Sequence, residues 1–139
     1  MAITQGMVSS YKVEEKKAIH DFTTDVFKMA LYTSSATLGA ATTAFSATNE
    51  VVGTGYTTGG KVMTGGSVVL DGTVAIVDFD DVVWLASTIT ARGALIYNSS
   101  KANRAVVVID FQADKTSTAE AFTVIMPVPA AGTALIRSN

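Results

Sequence analysis

The chain is predicted to be all-β: an antiparallel β-sandwich, jelly-roll-like, with a short N-terminal helix and a long first loop. Three observations point there. Short β-branched runs recur at roughly ten-residue spacing from Ser67 onward, which suits a sandwich or barrel rather than βαβ units. Asp71-Gly72 between SVVL and TVAIVDF is a two-residue hairpin signal. AVVVIDF is apolar on both faces, as a strand in the middle of a packed structure or at a subunit contact must be.

The elements follow in order. YKVEEKKAIH, residues 11–20, gathers Glu14, Glu15, Lys16 and Lys17 on a solvated helical face, with Val13 and Ala18 or Ile19 turned inward. DVFKMALYT, residues 25–33, reads as a strand with Phe27, Met29 and Leu31 on one side and Lys28, Ala30 and Tyr32 on the other. From Ser34 to Gly66 the pattern dissolves into Ser, Thr, Ala and Gly, with TNEV at 48–51 able to start one helical turn. A connection of that length serves as an arm or contact surface, and Phe45 and Tyr56 are its expected anchors. Beyond it come SVVL, TVAIVDF, VVWLASTIT, ARGALIYN, RAVVVIDF, QADKTSTAE, AFTVIMP and TALIR. NSSKAN forms the polar tip of a central hairpin.

Composition bears on function. The 139 residues suit one domain, 1–139, in which residues 1–10 are the expected contact arm. Charged residues are 16% of the chain, against about 25% in ordinary soluble domains, and 48% are hydrophobic. So sparsely charged a surface is expected to be partly covered by a partner. The net charge of −2 and the lack of a basic stripe argue against nucleic acid. The absence of cysteine removes disulfides and thiolate sites and suits synthesis in a reducing cytoplasm. MAITQGMVSS lacks the form of a signal peptide, and no apolar run is long enough to span a bilayer, so no membrane association is expected.

Four motifs invite a chemical reading. GYTTGGKV has the Gly55, Gly60, Lys61 spacing of a phosphate-binding loop, but Val62 stands where a metal-ligating hydroxyl belongs and no helix follows. A glycine-rich turn is the plainer reading. His20, the single histidine, could serve a catalytic set only with Asp21 and a distant serine; a helix-end histidine bonded locally is the alternative. Asp78, Asp80 and Asp81 could hold calcium, yet lack the spaced ligands and central glycine of a calcium loop. A solvated turn, or pairing with Arg92 or Arg104, is expected instead. Asn98-Ser99-Ser100 matches a glycosylation acceptor with no consequence absent export, and Trp84 reads as a core aromatic. No cofactor, no metal and no catalytic residue are expected.

Taken together, IHDF at 19–22, DVFKMALYTSSATL at 25–38, TNEVVGTGYTTGG at 48–60, TITARGALIYN, AVVVIDF and DKTST resemble a family of small virion structural proteins of tailed bacteriophages. The resemblance covers nearly the whole chain and carries no catalytic residues. It implies a non-enzymatic virion subunit made in the host cytoplasm. The reading preferred is a capsid cement or decoration protein that clamps neighbouring major capsid proteins and forms a symmetric homo-oligomer. A tail-tip, adaptor or fibre-base subunit is the alternative, and a carbohydrate-binding module is a weaker one. The expected contact residues are Met7 and Tyr11 in the arm, Phe45 and Tyr56 in the loop, and Arg92, Asn98, Lys101 and Arg104 on and near the central hairpin.

Overall fold

A computed structural model describes residues 2–138; Met1 and Asn139 of the expected domain lie outside the described residues. The organising element is the central hairpin. Its strands are β6 (Val82–Asn98) and β7 (Arg104–Val124), of 17 and 21 residues, paired antiparallel. The five separate runs read there from sequence are these two strands. Apart from the hairpin loop, the breaks between the runs fall at or beside register shifts, near Ala91–Gly93, at Gln112 (φ 68°) and at Ala119 (φ 47°), and a further bulge at Ala86 (φ 49°) lies within one run. A bulge bends a strand without ending it. The largest lies between Ala91↔Lys115 and Gly93↔Asp110, where Arg92 faces the extra residues of Phe111–Asp114.

The remaining strands are β1 (Gly6–Met7), β2 (Phe27–Tyr32), β3 (Lys61–Val62), β4 (Ser67–Asp71), β5 (Val74–Asp78) and β8 (Ile136–Ser138). They form a five-stranded sheet, β1-β7-β6-β2-β3, and a three-stranded one, β4-β5-β8, both antiparallel. The all-β antiparallel sandwich with its short helix is thus the architecture found. The strand orders do not establish jelly-roll connectivity; one long hairpin dominates the larger sheet. Val77, Phe79 and Ile136 join Phe27, Met29, Leu95, Val106 and Trp84 in one buried cluster, so both sheets contribute to the same core.

β2 departs from the expected alternation, since Met29, Ala30 and Leu31 are all fully buried. Phe22 and Phe79 pack on Phe27 at 4.6 and 5.7 Å on one face. On the other, the Tyr32 hydroxyl donates to the Ser46 carbonyl of the long connection at 2.7 Å. That connection also satisfies the backbone. Val51 donates to the Leu31 carbonyl and Thr33 to the Asn49 carbonyl, while residues 38–45 bond the N-terminal segment and the start of β7. TNEV forms a turn rather than a helical one.

The β4–β5 hairpin pairs Asp71 with Val74, so its two-residue loop is Gly72-Thr73, one residue later than the sequence signal suggested. Gly72 has φ +62° and Thr73 a negative φ, the pattern of a type II′ turn.

The helix, α1 (Ser9–Lys16), is shorter than the segment read from sequence. It ends in a Schellman motif: Ile19 donates to the Glu14 carbonyl and Ala18 to that of Glu15, with Ala18 at φ +58°. A left-handed alanine costs about 1–2 kcal/mol that glycine does not incur. Ala18→Gly is therefore expected to stabilise the protein by about 0.5–1 kcal/mol, seen as a rise of a few degrees in thermal unfolding. An unchanged or lower midpoint would contradict this.

The N-terminal segment, the expected contact arm, is docked on the body of the fold. It is tied down: β1 pairs with β7, Ile3 bridges Leu38, Val8 is fully buried and donates to the Val106 carbonyl, and Ser9 donates to the Ala40 carbonyl. Of the expected arm, Gly6 and Met7 form β1 and Ser9 and Ser10 begin the helix.

Candidate functional site at the hairpin tip

Five loop residues, Ser99–Asn103, connect β6 to β7, and the last residue of β6, Asn98, is fully buried. The Asn98 amide nitrogen donates to Asp25 Oδ2 at 2.8 Å and to His20 Nδ1 at 3.0 Å, and its Oδ1 accepts from the Ser100 amide at 3.0 Å. This assignment makes Nδ1 of His20 the acceptor and leaves Nε2–H to donate to Glu14 Oε1 at 2.9 Å. Arg104 Nη1 reaches Glu14 Oε2 at 3.4 Å, and Lys101 Nζ donates to both Asp25 oxygens at 2.8 Å. Ser99 and Ser100 lock the tip further, Ser99 donating to the Val26 carbonyl and Ser100 Oγ accepting from the Val26 amide.

The cluster therefore unites His20, Asn98, Lys101 and Arg104 with two carboxylates, Glu14 and Asp25, from the helix and from the residues before β2. Within it these side chains bond mainly to one another. The His20 side chain is 1% exposed, and both ring nitrogens are engaged. Tyr11 packs over the ring at 5.2 Å. Its burial, reinforced by the Glu15 charge, pushes the Tyr11 phenol above its ordinary value. Tyr11 and Asn98 are thus corrected from contact residues to buried ones, Tyr11 enclosed with His20 and Phe22 just beyond its helix and Asn98 by Asp25 and His20 from a distant part of the chain. Lys101 and Arg104 keep partly exposed side chains but act as braces.

Burial alone would raise the Asp25 carboxyl. Hydrogen bonds from Lys101, Asn98 and the Asp21 amide, together with the Lys101 charge, more than reverse this and hold it at about 2. An unfolded aspartate titrates near ~3.9, so the native state binds fewer protons than the unfolded one between those values. The stabilisation is complete above about pH 4 and is lost as pH falls toward 2. The urea midpoint should fall across that window, and more steeply in the native protein than in Asp25→Asn. Equal slopes would assign the acid sensitivity to other carboxylates.

Of the remaining expected residues, Met7, Phe45 and Tyr56 pack on the core, whereas the Arg92 side chain stays partly exposed. Phe45 stacks on Tyr97 at 4.8 Å. Tyr56 lies 6.1 Å from Trp84; its hydroxyl accepts from the Leu31 amide at 2.9 Å and donates to Glu50 Oε2. Burial, then that bond to Glu50, raises the Tyr56 phenol. Met7 packs partly on the core, and Arg92 pairs with Asp110 at 3.5 Å. Asp80 and Asp81 do not serve Arg92 or Arg104. Asp80 accepts from the Thr64 hydroxyl at 3.1 Å and Asp81 from the Met126 amide at 2.7 Å. Among the described residues no group of three His, Asp or Glu side chains is placed to hold a metal ion.

Glu50 was missed by the sequence reading. It is buried within the long connection, where Oε2 also accepts from the Gly59 amide at 2.8 Å. The Tyr97 hydroxyl closes the same loop by donating to the Gly59 carbonyl at 2.5 Å. Only the charge of Glu50 in an otherwise uncharged stretch, Thr33–Gly60, distinguishes it in the sequence.

The fold and the site together define an all-β sandwich whose polar clusters brace its loops. In comparisons with family models, curated proteins and solved structures, nothing matches the chain.

Proposed function

We propose that this chain is a structural subunit of a tailed-phage virion, a capsid cement or decoration protein that docks onto major capsid proteins and copies of itself. The observation that supports this reading is the contrast between its polar and apolar groups. The histidine, the Asp25 and Glu14 carboxylates and the hairpin-tip cations are consumed in internal bonds. Large apolar side chains, by contrast, stand exposed at Val68, Val69, Leu70, Leu85, Ile125 and Val128. Exposed apolar surface beside polar groups engaged mainly in internal bonds suits a protein that works by being covered. A cement subunit binds two neighbours at once, so the second contact benefits from a raised effective concentration.

Quantitative mass spectrometry of purified particles tests the proposal. A copy number comparable to that of the major shell protein is expected. A handful of copies per particle would move the subunit to the tail, and its absence would overturn the virion reading.

A further inference from the structure

The edge strand β4 is exposed along its whole length. All five of its residues are exposed, Val68, Val69 and Leu70 by 47, 52 and 70%. It pairs with β5 on one side alone. Edge strands are ordinarily blunted by lysine, proline or a bulge. β4 has none of these, and its one charge, Asp71, accepts from the Ala131 amide at 2.7 Å. The outer half of β7, by comparison, carries Asp114, Lys115 and Glu120.

Its free backbone groups are placed for one particular partner. Asp71 and Val74 close a two-residue loop, and such a pair exchanges both of its hydrogen bonds. By alternation Val69 and Ser67 also bond to β5, opposite Ile76 and Asp78. The amide and carbonyl groups of Val68 and Leu70 therefore point away from the sheet. Two β4 strands laid antiparallel about a two-fold axis at Val69 set Val68 of each opposite Leu70 of the other, and every one of these free groups finds a partner. A register one residue off would present groups already bonded to β5. One centred on Val68 or Leu70 would match fewer of them. Side chains agree with the same register: Val69 faces Val69, Val68 faces Leu70, and the Ser67 hydroxyl faces the Asp71 carboxylate, with no like charges opposed.

We propose that β4 pairs with β4 of a second copy about a two-fold axis at Val69, joining two three-stranded sheets into one of six strands. This deepens the self-association named in the proposed function, yet it is a property of the isolated chain and stands whether or not the chain enters a particle. Three apolar side chains per copy cover much less than the ~1,200–2,000 Å² of a standard stable interface. The dimer is accordingly weak and concentration-dependent, and it strengthens when neighbours are held close.

The chain has no cysteine, so single cysteines report the register directly. Facing residues of a non-hydrogen-bonded antiparallel pair have Cα atoms about 4.5 Å apart, within disulfide reach. Val69→Cys should form disulfide dimers on mild oxidation at least tenfold faster than Leu70→Cys, both variants keeping the native circular dichroism. Equal rates, the reverse order, or no cross-linking at millimolar protein would overturn the proposal. Val69→Lys, which opposes two ammonium groups, should weaken dimerisation at least tenfold in sedimentation equilibrium. Unchanged association in that variant would equally refute the strand pairing.

Discussion

Gly60→Ala is expected to destabilise the protein by about 4 kcal/mol or more, lowering thermal unfolding by some 12–20 °C. A β-carbon at Gly60 would lie 1.9 Å from the Met29 carbonyl oxygen, 2.6 Å from its carbon and 2.7 Å from Ala30 Cα. All three are backbone atoms of β2, the strand whose pairing with β6 builds the main sheet, so none can move aside cheaply. The φ of +82° adds conformational strain. Gly72→Ala separates the two effects: its φ is +62°, but nothing lies within 4 Å of the added carbon. That variant should lose only about 1 kcal/mol. Comparable midpoints for the two variants would show that close approach of the connection to β2 is not what Gly60 provides.

Asn98→Ala is expected to cost about 3–4 kcal/mol, read as a shift of roughly 1.5 M in the urea midpoint. The side chain is fully buried and makes three hydrogen bonds, one of them to an ionised carboxylate. Its removal leaves His20 Nδ1 without its Asn98 donor and strips Asp25 of one of its donors. Asn98→Asp should be worse at neutral pH, because it places a second carboxylate beside Asp25, and should recover in part as the pH falls. An Asn98→Ala variant within 1 kcal/mol of the native protein would return this residue to the surface role read from the sequence.

The hairpin and the fold class were legible because they rest on local signals, namely β-branched runs, a polar knot and a turn dipeptide. The continuity of β6 and β7 was not. Left-handed positions are ordinarily sought at Gly and Asn, whereas here Gln112 and Ala119 occupy them, so the bulges beside them looked like strand ends. Asn98 and Tyr11 were misplaced for a different reason. A polar residue beside Ser-Ser-Lys reads as solvated, and only its partners Asp25 and His20, more than seventy residues earlier, make it interior. Gly55 and Gly60 imitate a phosphate loop since close backbone approach requires glycine whatever approaches, and here the approaching groups are Ser87 and Met29. Glu50 illustrates the same limit, for its burial depends on how the connection folds back over β2.

The two-residue strand β1 has a kinetic consequence. Gly6 pairs with Val108 and Met7 with Val107, so this segment waits during synthesis for a partner about a hundred residues later. The β6–β7 hairpin, in contrast, can zip from its own tip across a short loop, on the timescale of local closure rather than of long-range search. The amino-terminal segment is thereby a late closing clasp, added to a hairpin that must already exist. Until it closes, Val107 and Val108 present an uncovered apolar stretch of the β7 edge, a site at which unfinished chains can mispair.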